Sequence, residues 1–298
     1  MDDDMTATGA SANALTRQVI DRLDACPDPR LRELVRGLVT HLHQFAVEQA
    51  LTDSEWMEGI RFLTDVGQTC TAQRQEFILL SDTLGLSMLV DLINHGAGSD
   101  ATDSTVLGPF YVEGSPWRAD GDAITDDLGA NPLLVTGQVR DTAGQPLPGA
   151  TVDVWQNATN QLYAVQDPGQ SPENLRGRFR TDATGRFSFR TVRPVDYPIP
   201  DDGPVGRMLR ATGRHPWRPA HIHFIVSADG YNAVTTHIFD SESPHLGSDA
   251  VFGVKPSLVR ALVVHDPAIE EAPPGIPGRW YTVDIDMTLE PAAFAPST

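Results

Sequence analysis

Basic residues are scarce: 22 Lys and Arg stand against 40 Asp and Glu, for a formal charge of −18. A surface of that sign repels phosphate backbones, and no basic stripe offsets it, so no nucleic-acid partner is expected. Long apolar runs are missing as well. No stretch of about 18 or more uninterrupted apolar residues occurs, so no membrane span is expected. The opening MDDDMTATGASANALTRQ lacks the basic and apolar regions of a secretory signal. Cysteine is limited to Cys26 and Cys70. Both fall in segments that read as helix, and reduced thiols packed as small apolar groups are expected in place of a disulfide. These absences together lead to the expectation of a cytoplasmic protein.

What remains is ordinary globular material, 40% apolar and 21% charged, over 298 residues. The first third reads as helix. Leu31, Leu34, Val35, Leu38, Val39 and Leu42 form one helical stripe. Thr52 and Glu55 have capping-box spacing ahead of Trp56, Ile60 and Leu63. A further helix is expected from Arg74 to about His95, with Gly96 as its stop. The stripes exceed what a solvent-facing helix needs, so they are expected to bury one another or a partner chain.

Periodicity lapses between Gly96 and Pro132, a stretch too long for a structureless connector; such loops are functional or wrap another element. From Leu133 the period is two. Strands are expected at Val135–Val139, Thr151–Trp155, Arg186–Val192, Ala220–Ser227, Val234–Phe239 and Trp280–Leu289, separated by Gly- and Pro-bearing turns. The expected fold is mainly β: an N-terminal α-helical domain over residues 1–105, then an antiparallel β-sandwich domain over 106–298.

The sharpest local signal is Arg218-Pro-Ala-His-Ile-His223. Strand geometry puts His221 and His223 on one face, where two imidazoles can share a transition metal. The same pattern fits a surface pair, or a zinc or cupin-type site. Clustered cysteines for structural zinc are lacking. An iron(II) site of two histidines and a carboxylate would favour an acid where His223 stands, although acids elsewhere could serve. Tyrosines are the other donors, and only Tyr111, Tyr163, Tyr197, Tyr231 and Tyr281 exist. Phenolate needs a strongly charged cation to form at neutral pH, and iron(III) can supply it. A packed ring with a satisfied hydroxyl is the plain alternative for each.

Four pieces in fixed order then carry a resemblance: Leu107-Gly-Pro-Phe-Tyr111; Pro148-Gly-Ala-Thr-Val-Asp-Val-Trp155 followed by Tyr163; Tyr197-Pro-Ile-Pro200; and Arg218-Pro-Ala-His-Ile-His223. From about residue 75 to 285 the chain resembles the intradiol ring-cleavage dioxygenases. The resemblance implies a ferric ion, Fe(III), held by Tyr163, Tyr197, His221 and His223. It also implies an aromatic diol and O2 as substrates and a homodimer formed through the helical domain. In several relatives those helices enclose phospholipid tails. In that family Tyr197 leaves the metal and takes a diol proton while Tyr163 stays bound. Arg218, placed at the end of the strand that bears His221, would stabilise negative charge on the ring. A carboxylate pair or a surface charge is its plain alternative. The wider arginine run, Arg193 to Arg218, adds local positive potential, with most members expected to be solvated.

Three stretches, Gln75 to Gly85, Tyr197 to Pro204 and Ser248-Asp-Ala-Val-Phe-Gly253, look more like the hydroxyquinol-cleaving members than the catechol-cleaving ones. By resemblance Leu79, Asp82, Val106, Leu107, Gly108, Phe110, Ile199, Pro200, Arg218 and Val251 line the pocket. Asp82 would meet the third hydroxyl of hydroxyquinol, unless it is a helix-surface carboxylate. His237 stands where catechol enzymes often carry Gln, and its role is open. Three rivals remain at this point: a catechol enzyme, a transthyretin-like binding module without metal, and a zinc or iron(II) enzyme of another fold.

Overall fold

The computed structural model describes residues 2–71, 74–95, 100–129, 131–276 and 278–292, with side chains from residue 11 onward. Gly96, the expected helix stop, lies outside the described residues. Internal contacts divide the chain into Met1–Asp65 and Val66–Thr298.

The first unit is helical. α1 (Asp2–Arg22) packs on α2 (Pro29–Glu48), and α3 begins at Asp53 and runs to Thr69. Asp28 caps α2 by accepting from the Arg30 and Leu31 amides, with Pro29 in the first turn where its missing N–H costs nothing. The expected capping box forms: the Thr52 amide donates to Glu55 at 2.9 Å, and the Glu55 amide returns to the Thr52 hydroxyl at 3.3 Å. Nothing on α2 is buried. Leu31, Leu34, Leu38 and Leu42 are each more than half exposed, as is Trp56 on α3.

The second unit begins within the last turn of α3 and continues with α4 (Glu76–Thr83) and α5 (Leu86–His95). Sequence periodicity joins these into one helix, but Gly85 takes φ +74° and breaks it. Among the described residues eleven strands follow. β10 (Val263–His265), β11 (Trp280–Leu289), β1 (Pro132–Asp141) and β4 (Arg186–Val192) form one sheet in that order. β3 (Arg176–Arg180), β2 (Thr151–Trp155), β7 (His221–Ser227), β8 (Val234–Asp240) and β9 (Val259–Arg260) form the other. β5 (Tyr197–Pro198) and β6 (Trp217–Arg218) pair separately, with α6 (Pro204–Ala211) between them. The sheets are mixed, not purely antiparallel as expected: β1 runs parallel to β11, and β8 to β9. Pairing an early strand with the last one in parallel leaves no local mark in either segment.

Between the sheets lies the core, with Val135 and Val139 from β1, Phe187 and Phe189 from β4, and Ile222, Phe224 and Val226 from β7. At Gly137 a Cβ would come within 2.1 Å of the Ile285 carbonyl, so this close crossing of β1 and β11 requires glycine. The described part of the long aperiodic stretch, residues 100–129, is a strap. Trp117 and Ala123 bridge to Arg178 on β3 and Arg190 on β4, covering the edge strands of both sheets.

Candidate active site

β7 is buried on both faces. Ile222, Phe224 and Val226 enter the core, which turns His221 and His223 to the opposite side, where each is 1% exposed. Register then supplies their neighbours: His223 sits between Trp155 on β2 and His237 on β8, and His221 opposite Phe239. The His223 ring stacks on Trp155 at 4.6 Å, and His237 lies flat against His221 at 4.6 Å.

Three donor atoms converge. His221 Nε2 and His223 Nε2 are 3.1 Å apart, and the Tyr163 hydroxyl is 2.8 Å from His223 Nε2. His221 Nδ1 lies 2.7 Å from the Pro219 carbonyl, to which it donates, so its Nε2 presents a lone pair. Metal–imidazole bonds of about 2.0–2.1 Å set at right angles span an edge of about 3 Å. The spacing is therefore that of ligands around one ion. Tyr197 stands edge-on to Tyr163 at 5.4 Å between ring centroids. The donor set, two phenols and two imidazoles, fits a hard trivalent cation.

Electrostatics points the same way. Burial pushes His221, His223 and His237 well below the usual imidazole value, and the Arg218 charge adds to this, so all three are neutral. Burial, followed by Tyr197, pushes the Tyr163 phenol well up. Without a cation that phenol keeps its proton. Among the described residues His221, His223 and His237 also form the one three-residue cluster of His, Cys or acid side chains spaced for a metal. Neither nitrogen of His237 has a hydrogen bond of ordinary geometry, although the Val106 backbone lies close enough to favour its charged form.

Arg218 is not on the strand of His221. It belongs to β6 and pairs directly with Tyr197 on β5. Pro219, which has no N–H, separates β6 from β7. Arg218 Nη1 lies 3.3 Å from both the Tyr197 hydroxyl and His221 Nε2. Its Nε and Nη2 meet Asp249 at 3.1 and 3.3 Å. Burial opposes the Arg218 charge, but Asp249 and then Tyr197 more than offset it, so the guanidinium is held protonated. The other arginines of the run are mostly engaged: Arg193 with Asp240 and Glu242, Arg210 with Asp201, and Arg214 with the Thr83 and Ala250 carbonyls.

The expected pocket residues fall in three groups. Gly108 and Phe110 lie at the donors: a Cβ on Gly108 would touch the His223 ring at 3.4 Å, and Phe110 stacks on Tyr163 at 4.6 Å. Asp82 and Val251 gather near Arg218 and Asp249, Val251 through its amide to Asp249 at 3.3 Å. Leu79, Val106 and Ile199 are buried, Pro200 is half-buried, and Leu107 is 42% exposed. Sequence reasoning left Asp249 and Trp155 without a role. Trp155 was open to discovery from the strand alternation, whereas Asp249 lies far along the chain from its partner. A cleft of about 470 Å³, lined by Arg214, His215, Ser248, Asp249 and Phe252, adjoins the centre through Asp249.

Asp82 is 4% exposed and is not a helix-surface acid. Burial raises its carboxyl above the ordinary 3.8; the Ser87 hydroxyl and Arg218 oppose this, and Asp249 adds to it. A group raised on folding contributes stability at low pH that is lost as pH rises through its folded value. Asp82→Asn should therefore raise the unfolding midpoint of the metal-free protein near pH 7, with the gain shrinking toward about pH 4. Thermal melts of both proteins at the two pH values check this; a variant less stable than wild type near pH 7 would contradict it.

Comparison with known proteins identifies the family. The dioxygenase family model matches residues 106–290, and the catechol dioxygenase N-terminal model matches 28–102. A hydroxyquinol 1,2-dioxygenase from Rhizobium sp. (strain MTP-10005) is 50% identical, over 91% of this chain and 92% of that protein. The crystal structure of hydroxyquinol 1,2-dioxygenase from Pseudomonas putida DLL-E4 superposes with a TM-score of 0.89 at 48% identity, covering 95% of this chain and 100% of that one. Catechol 1,2-dioxygenase from Pseudomonas arvilla C-1 superposes at 0.81 with 31% identity, over 95% and 92% of the two chains. These matches remove the transthyretin-like and other-fold readings: the chain belongs to the intradiol ring-cleavage dioxygenases.

Proposed function

We propose that the protein cleaves hydroxyquinol between its adjacent hydroxyls with O2, using Fe(III) held by Tyr163, Tyr197, His221 and His223. The observation that carries this is the convergence of Tyr163 Oη, His221 Nε2 and His223 Nε2 at 2.8 to 3.1 Å in a fully buried pocket. When bound, ferric iron supplies Lewis acidity that draws protons from a chelating diol and prepares its ring for dioxygen. The product is 3-hydroxy-cis,cis-muconate, which tautomerises to maleylacetate.

The chain's own groups then have distinct tasks. Tyr197 Oη accepts one diol proton, and hydroxide takes the other. Arg218 Nη1, fixed between Tyr197 and His221, stabilises negative charge as it builds on the ring carbon. Trp155 and Phe110 hold the His223 and Tyr163 rings by stacking and keep water away. Leu79, Val106, Leu107, Gly108, Ile199, Pro200 and Val251 shape the pocket around the ring, and Asp82 accepts from the third hydroxyl. His237 supports the flat face of His221 and stands outside the proposed ligand set.

The exposed stripes on α2 and α3 support a homodimer formed through the helical residues 1–105, with phospholipid tails held between the paired helices. No described helix is long and apolar enough to cross a membrane. Free Cys26 and Cys70 are in keeping with a cytoplasmic protein.

About one ferric ion per chain is expected, with a purple-red colour from phenolate-to-iron charge transfer. His221→Ala should lose most of the iron by elemental analysis. Zinc in the preparation, or colourless iron-loaded protein as a three-histidine site would give, overturns the ligand set. On substrates, kcat/KM should be higher for hydroxyquinol than for catechol. Asp82→Ala should lower the hydroxyquinol value by about ten- to a hundredfold, as a charge-assisted hydrogen bond of about 1.5–3 kcal/mol implies, with little change for catechol. Faster catechol turnover by wild type refutes the substrate, whereas equal losses in the variant refute only the role of Asp82. Sedimentation velocity should show a dimer at micromolar concentration, and a monomer would refute the interface.

A further inference from the structure

The Ser248-Asp-Ala-Val-Phe-Gly253 motif supplies Asp249, an acid the reaction itself does not use. Its side chain is 2% exposed and faces an Arg218 side chain that is 3% exposed. A carboxylate has about four acceptor positions. All are matched here: Arg218 Nε and Val251 N on Oδ1 at 3.1 and 3.3 Å, and Arg218 Nη2 and Gly253 N on Oδ2 at 3.3 and 2.9 Å. Nothing is left over with which to bind substrate or take a proton.

Around it the chain is drawn in tightly. Phe252 adopts φ +59°, in the left-handed region that an aromatic residue seldom occupies. The Gly253 carbonyl accepts from the Thr105 hydroxyl at 2.9 Å. A Cβ on Gly253 would stand 3.0 Å from Arg218 Nη2 and 3.2 Å from Asp249 Oδ2. The turn thus leaves room for the guanidinium and for little else.

We propose that Asp249 is the positioning residue for Arg218: it holds the Nε–Nη2 edge of the guanidinium and so commits Nη1 to the reacting centre. This rests on the catalytic role given to Arg218 above. A guanidinium has five donors in a rigid plane, so fixing one edge fixes where the remaining nitrogen points. Unheld, the buried guanidinium would lose its ion-pair partner and the edge that fixes its plane, and would be drawn toward solvent. Asp249 keeps it there, and its backbone anchors tie that placement to Val251 in the pocket wall.

The test is a double-variant cycle with Asp249→Asn and Arg218→Gln. Asp249→Asn should lower kcat for hydroxyquinol by about ten- to a hundredfold with KM within about threefold, because the interaction lost belongs to the transition state. In the Arg218→Gln background it should cost less than about twofold more. Urea unfolding of the metal-free proteins gives a readout independent of turnover: each single variant should lower the midpoint, and the double variant should be no worse than the poorer single. Retention of kcat within about twofold, or losses that multiply in the double variant, would overturn the assignment. Should Asp249→Asn fail to fold, Gly253→Ala decides, since it crowds Arg218 Nη2 while keeping the Asp249 charge; unchanged kcat overturns the proposal and a kcat-specific loss supports it. Wild type inactive on both hydroxyquinol and catechol would overturn the proposed function, and the unfolding cycle would still read whether the pair is coupled.

Discussion

Burial of β7 on both faces is the constraint on which the rest depends. One face must be apolar to join the sheets, and the two-residue period then fixes what the other face presents. Had the register of β7 slipped by one residue, Ile222 and Phe224 would face the pocket and the imidazoles would enter the core. The sandwich therefore does more than support the site. The same Phe224 and Val226 that close the core hold His221 and His223 beside Trp155 and His237, with no freedom to rotate the strand.

Dryness comes with that arrangement, and its electrostatic consequences are linked. Burial keeps the imidazoles neutral, which leaves their lone pairs available, and keeps the Tyr163 phenol protonated until a cation arrives. It also makes a fixed positive charge useful, because nothing nearby screens it. That charge is costly to bury alone, and the carboxylate at Asp249 offsets much of the cost. Each feature follows from excluding water, and none would hold on an exposed strand.

Much of this was legible in the chain. Thr151–Trp155, Arg186–Val192 and Trp280–Leu289 were delimited by alternation alone, because each has one side in the core. Arg176–Arg180 was missed since its outward positions are arginine and one inward position is glycine, so the apolar period is broken. The helix expected from Arg74 to His95 breaks at Gly85, whose left-handed φ of +74° ends α4, a stop that the unbroken apolar pattern does not reveal. The two histidines were readable from strand geometry, but Tyr163 and Tyr197 lie outside long strands and stood out only by resemblance to a family. Arg218 was placed on the wrong element because a proline inside a short motif does not reveal which side of it pairs. Asp249 had no local signature: only the fold brings it to its arginine.

Asp82 shows how substrate choice and stability oppose one another. The acceptor positions of Asp249 are filled and its charge is matched by Arg218, so the pair is locally neutral. Asp82 is a second acid brought to the same buried place without a cation of its own, and its raised carboxyl value follows from burial and from Asp249. Folding alone gives no reason for it. A pocket that must distinguish three hydroxyls from two does, because an unmatched hydroxyl in a dry site costs about 1–3 kcal/mol and only a buried polar group can remove that cost. Under the proposed function, the acid whose burial is unfavourable in the empty fold is the one that would receive the third hydroxyl.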